Sequence, residues 1–132
     1  MWLSILSVLA GAALWTVLWL PFTRLMQVAF PDIVIPEQYL GHVPILLAFI
    51  AASVVFSVAA GYLTALVARS KPVHHSFALG VLQLALGIGF EASYWASMPV
   101  WYHLVFLALL LPGNVWGGVL RANRRMAALT AR

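Results

Sequence analysis

Residues 76–120, SFALGVLQLALGIGFEASYWASMPVWYHLVFLALLLPGNVWGGVL, decide the fold. These 45 residues hold one carboxylate, Glu91, one histidine, His103, and no lysine or arginine. A break at Ser97-Met98-Pro99 divides them. An apolar run of this length can be buried only in lipid. About 20 residues cross the hydrocarbon core as a helix, so the run predicts two spans around a proline turn, at about 76–96 and 100–120. The apolar residues are continuous and do not alternate with a period of two, which predicts helices and excludes a barrel.

The rest of the chain agrees. Of its 132 residues 64% are hydrophobic and 8% charged, with a mean hydropathy of +1.02. A soluble domain carries about 25% charged residues, and a chain this short leaves too much surface exposed to hide the difference. Met1 to Thr23 is uncharged and ends in Trp19-Leu20-Pro21-Phe22 without a small-residue cleavage site, so a first span at about 2–22 is expected and not a cleaved leader. Val43 to Ala68 is also uncharged and forms the second span, 43–68. The connection between them carries Asp32, Glu37 and three prolines with several apolar residues, which predicts a loop lying in the interface. Residues 121–132 form a basic tail, expected to extend as a helix along the headgroups.

The expected architecture is therefore all-α: a single domain, 1–132, with four transmembrane helices in an up-down bundle. Arg69, Lys71, Arg121, Arg124, Arg125 and Arg132 fall on one side and only Arg24 on the other, which predicts that both termini are cytoplasmic. The absence of cysteine excludes disulfides, thiolate chemistry and cysteine-ligated metals. Seven basic residues spread over short segments make no nucleic-acid surface; they set topology and meet anionic headgroups.

Helices in lipid associate through close backbone approach and interhelical hydrogen bonds. Small residues recur at four-residue steps as Ser53, Ser57, Gly61 and Ala65 in the second helix and as Ala85, Gly89 and Ser93 in the third. Gly113 and Gly117 form a GxxxG pair in the fourth. These stripes predict tight packing, within one chain or between copies. Pro112 removes the hydrogen bond to the Ala108 carbonyl, so a kink is expected there, with Asn114 re-satisfying the freed backbone.

Glu91 is the one ionisable side chain inside a helix body. It shares a helical face with Gln83 and Gly87, and that polar face is expected to meet protein. Fifteen residues from Ser76, at 1.5 Å each, place it roughly 22 Å along the span, about 8 Å short of the far boundary. In a hairpin turning at Ser97-Met98, Glu91 and His103 come level. Arg24 and His42 fall at the same side, giving a polar layer of Arg24, His42, Glu91 and His103. Three roles compete for it: a structural tether between helices, a proton or solute relay, and a haem or chlorophyll-type pigment held by His42 and His103. The tether ranks first, because a carboxylate near the boundary is the less costly kind. No metal set, catalytic constellation or other cofactor is expected. The chain reads as a non-enzyme: an accessory or assembly subunit, or a self-associating membrane component. The alternative is a minimal oligomeric transporter or channel.

Gly61-Tyr62-Leu63-Thr64-Ala65-Leu66-Val67-Ala68-Arg69, with Lys71-Pro72 and His75, resembles the second-to-third helix hairpin of small uncharacterised four-helix bacterial inner-membrane proteins. Pro99-Val100-Trp101-Tyr102-His103 is similar to the start of their last helix. The likeness covers roughly the last 70 residues and implies a bacterial inner membrane, without an activity. The small multidrug resistance transporters share the size and helix number, but their mark is a glutamate in the first helix. This chain has none there.

Overall fold

The computed structural model describes residues 1–132 and is all-helical. Its elements are α1 (Trp2–Ala29), α2 (Val43–Ala68), α3 (Pro72–Ser93), a single 3₁₀ turn (Trp95–Ser97) and α4 (Val100–Thr130). All four α-helices are long and apolar enough to cross a membrane. Only 27 of the 132 residues are buried, and large apolar side chains such as Val17, Leu86 and Trp116 lie on the outside. Lipid is the surrounding that such a surface fits.

Around the bundle the helices run α1, α2, α4, α3. Contact is most extensive between α2 and α4, strong between α1 and α2 and between α3 and α4, and sparse where α3 meets α1. The small-residue stripe on α2 explains the dominant seam. Ser53, Ser57, Gly61 and Ala65 are all buried. A Cβ on Gly61 would overlap the backbone of Asn114, and one on Gly117 would overlap the Val58 carbonyl. A Cβ on Gly113 would stand 2.9 Å from that of Ser57. The two backbones therefore touch, and only glycine at these three positions lets them. Packed against this seam is a core of Met26, Ile45, Leu46, Phe49, Ile50, Tyr102, Phe106 and Leu110.

The third-helix stripe behaves differently. Ala85, Gly89 and Ser93 are exposed, and nothing lies within 4 Å of the position a Gly89 Cβ would take. Inside the chain α3 instead turns Leu79, Gly80, Gln83 and Glu91 inward. A helix at the corner of a small bundle has one inner face, and the polar side chains need it more than the small ones do.

Three helices differ in their boundaries from the sequence expectation. α1 continues past Pro21 to Ala29. A proline costs a helix one backbone bond, and in lipid ending the helix would expose several more. α3 starts at Pro72, with Pro72 at its first position and Lys71 before it in the left-handed region, φ 43°. It ends at Ser93, earlier than expected, because Trp95–Ser97 tightens into the 3₁₀ turn. α4 keeps its helical pattern through Pro112 and on to Thr130, so the basic tail is a continuation of the last span. Asn114 does not reach the Ala108 carbonyl: its Nδ2 donates to the Leu110 carbonyl at 2.8 Å and to Gln83 Oε1 at 2.7 Å. The amide is too short to span a turn and a half of helix.

Candidate functional site

The α3–α4 face is crossed by three polar levels, set at Ser76, Gln83 and Glu91 and so roughly 10–12 Å apart along the helix. At the first, Ser76 is fully buried and its hydroxyl lies 2.7 Å from the Gly61 carbonyl and 3.1 Å from that of Pro72. The Gly61 bond ties α3 to α2, and Gly118 of α4 makes room for it, since a Cβ there would overlap the Ser76 hydroxyl.

The second level is the Gln83–Asn114 amide pair. Asn114 Nδ2 has both its acceptors, but Gln83 Nε2 and Asn114 Oδ1 are buried without a partner. Exchanging the O and N of both amides does not cure this: one donor and one acceptor remain over in either arrangement. Gln83 also lines a crevice of about 280 Å³ with Trp15, Trp19, Phe90, Phe106 and Leu110. The crevice follows from the sparse α1–α3 contact. A second opening, about 520 Å³, lies on the same seam nearer the N-terminus, between Val8, Leu9 and His74, His75.

At the third level Glu91 Oε2 and His103 Nδ1 are hydrogen-bonded, with Glu91 2% and His103 0% exposed. Local structure explains the burial. Tyr94 closes α3 with its N–H on the Glu91 carbonyl at 3.1 Å, and Ser97 N–H bonds the Tyr94 carbonyl at 2.8 Å. This turn folds Trp95 back over α4, where its indole stacks on the imidazole at 4.8 Å between centroids and 15° between planes. Tyr102 meets the ring edge-on, 5.8 Å away. His103 Nε2 lies 3.3 Å from the Trp95 carbonyl, an acceptor that fixes a proton on that nitrogen. One further proton then sits between Nδ1 and the carboxylate. Whether it rests on the carboxyl or on the ring, the pair carries no net charge. A neutral pair is far less costly to bury than a lone charge.

Arg24 and His42 do not join this pair. Arg24 is exposed and its guanidinium bonds Gln27 Oε1 on its own helix at 3.2 Å. His42 is exposed as the residue before α2. Equal height does not give equal azimuth: Arg24 points outward from an α1 that runs on for five more residues. The four-residue layer therefore contracts to Glu91 and His103. His103 has both ring nitrogens engaged by protein, and His42 lies apart, so the two do not offer a pair of open nitrogens to one pigment. Trp95 and Tyr102 enclose the pair; Tyr102 is 2% exposed. Trp15, whose Nε1 donates to Ser57 Oγ at 3.2 Å, ties α1 to α2 and carries no signal in the sequence beyond being aromatic.

No protein-family model matches the chain, and neither the curated proteins nor the solved structures return a match.

Proposed function

We propose that the protein is a non-enzymatic component of a membrane assembly, associating with copies of itself or with another membrane protein through α3. The observation that carries this is the outward stripe of Ala85, Gly89 and Ser93, with open space over Gly89, on a helix whose inner face is already committed. The other small-residue seams, on α2 and α4, are used within the chain. A stripe that lets backbones approach has its use where a second helix meets it. The Glu91–His103 pair serves in this reading as a tether that fixes α3 against α4 and so sets the angle at which the stripe is presented.

The membrane proposed is the bacterial inner membrane, with both termini cytoplasmic. The six basic residues around the α2–α3 turn and the end of α4, against Arg24 alone at the other end, support that orientation.

Because the chain has no cysteine, single cysteines at positions 85, 89 and 93 report proximity without background. Oxidation in native membranes is expected to give a crosslinked product from these positions and none from the equally exposed position 17. A product of twice the monomer mass identifies self-association; another mass identifies a partner. The absence of product at all three positions refutes the reading.

One observation favours a second reading, a minimal proton or small-solute transporter built from several copies: the polar levels at Ser76, Gln83 and Glu91 run along most of one helix. Under it, Glu91→Gln leaves the membrane level of the protein unchanged and abolishes a pH-dependent phenotype. Under the tether reading the same variant affects folding first.

A further inference from the structure

At the end of the bundle away from Glu91, a recess of about 220 Å³ is lined by Ala65, Leu66, Arg69, Pro72, Arg121 and Arg125. Three arginines, one at the end of α2 and two in the later part of α4, therefore line one small space. Carboxylates that would neutralise them are missing from that end. The chain has three, of which Glu91 is bound to His103 and Asp32 and Glu37 lie in the connector at the opposite end. Arg121 is partly buried, and its Nε is enclosed without any hydrogen-bond acceptor. An enclosed guanidinium donor with nothing to donate to costs stability unless an anion completes it.

Arg69 and Lys71 both adopt positive φ, 58° and 43°, although neither is glycine. Such conformations persist where surrounding contacts impose them. The Arg69 carbonyl accepts from Arg125 Nη1 at 2.5 Å, which holds Arg125 across the recess. Arg124, one residue earlier, turns the other way and lies 5.8 Å over the Tyr62 ring. Adjacent arginines of one helix are thus sorted between an aromatic face and the recess.

Depth supplies the chemistry of the ligand. A span of about 20 residues from Val100 reaches Leu120, which puts Arg121 and Arg125 at the level of the headgroups. Basic recesses between transmembrane helices at this depth suit phosphate groups, and the planar fork of arginine matches two phosphate oxygens at once.

We propose that Arg69, Arg121 and Arg125 form a binding site for a phosphate group, carried by an anionic lipid headgroup or by a soluble phosphate. The site does not depend on the assembly role of α3.

The test uses the full chain in nanodiscs that mix phosphatidylcholine with phosphatidylglycerol, with retained lipid read by native mass spectrometry. Wild type is expected to keep phosphatidylglycerol in preference to phosphatidylcholine. Arg121→Gln and Arg125→Gln are each expected to weaken that preference about fivefold, which corresponds to roughly 1 kcal/mol per basic residue at the membrane surface. Arg132→Gln removes the same charge outside the recess and is expected to change nothing. Inorganic phosphate is then added. If it displaces the lipid in wild type and not in Arg121→Gln, a free phosphate is the ligand; if the lipid stays, the headgroup is. Either result supports the site. Equal losses in Arg132→Gln and in the recess variants overturn it, as does a preference that no variant alters. Should Arg121→Gln fail to fold, Arg125→Gln, at an exposed position, decides alone.

Discussion

Removing His103 tests the tether most directly. His103→Ala strands the Glu91 carboxyl, 2% exposed, without its partner and also deletes the ring that Trp95 covers. Breaking a buried pair from one side costs about 3–5 kcal/mol. The lost stacking adds roughly 0.5–1.5 kcal/mol. Glu91→Gln is milder, because an amide still bonds Nδ1 and no charge is stranded: about 1–2 kcal/mol. The decisive variant replaces both partners. Glu91→Leu with His103→Phe removes the polar groups together and keeps most of the volume, and an apolar pair of similar size is often neutral against the buried ion pair it replaces. It is expected to lie within roughly 1–2 kcal/mol of wild type, well above the single alanine variant. Reversible unfolding in mixed micelles of a mild detergent and dodecyl sulfate, followed by tryptophan fluorescence, measures all three. Trp95, on the imidazole itself, reports the local change. If the double variant is as unstable as His103→Ala, the pair is required for more than holding two helices together. A cost for His103→Ala below about 1 kcal/mol refutes the argument from burial.

Four further outcomes are expected. Gly61→Ala places a methyl in the Asn114 backbone, which cannot swing aside, and should destabilise by about 1–3 kcal/mol in the same assay, whereas Gly89→Ala, with open space around it, should be neutral or slightly stabilising to the isolated chain. Gln83→Leu deletes one interhelical hydrogen bond but also removes an unpaired amide N–H, so its cost should stay near 0.6 kcal/mol and not exceed about 1.7. Ser76→Ala loses the bond to the Gly61 carbonyl without opening a large void and should cost about 0.5–1.5 kcal/mol. Trp95→Ala uncovers the imidazole and should let hydrogen exchange at the His103 ring speed up, by NMR, with little change in helix content.

The spans were legible because run length against bilayer thickness leaves no other reading, and the α2–α4 seam because glycine and serine at four-residue steps mark one helical face. Register alone brought Glu91 and His103 to one height, since a tight hairpin fixes which residues of its arms are level. The same reasoning failed for Arg24 and His42, which belong to helices joined by a long connector. There height says nothing of direction, and taking the 20-residue bilayer length as the helix length misplaced the end of α1. The α3 stripe shows a second limit. Small residues and polar residues each mark a face, but composition does not say which of two faces turns inward; the cost of leaving Gln83 and Glu91 in lipid decides it. The place of Trp95 was not legible because it sits in a break, where a 3₁₀ turn carries its side chain back over the next helix.

The position of His103 twelve residues after Glu91 bears on how the chain enters the bilayer. α3 is the least apolar of the four spans and carries an acid whose partner is synthesised only after the Ser97-Met98-Pro99 turn. Released into lipid alone, it would present Gln83 and Glu91 with nothing to meet them. α3 and α4 should therefore leave the translocation machinery together, as a hairpin. A nascent chain truncated at Ser97 is expected to insert poorly, and one extended through Leu120 to insert fully, as read by glycosylation of engineered acceptor sites. Efficient insertion of the shorter chain would show that α3 tolerates lipid unaided.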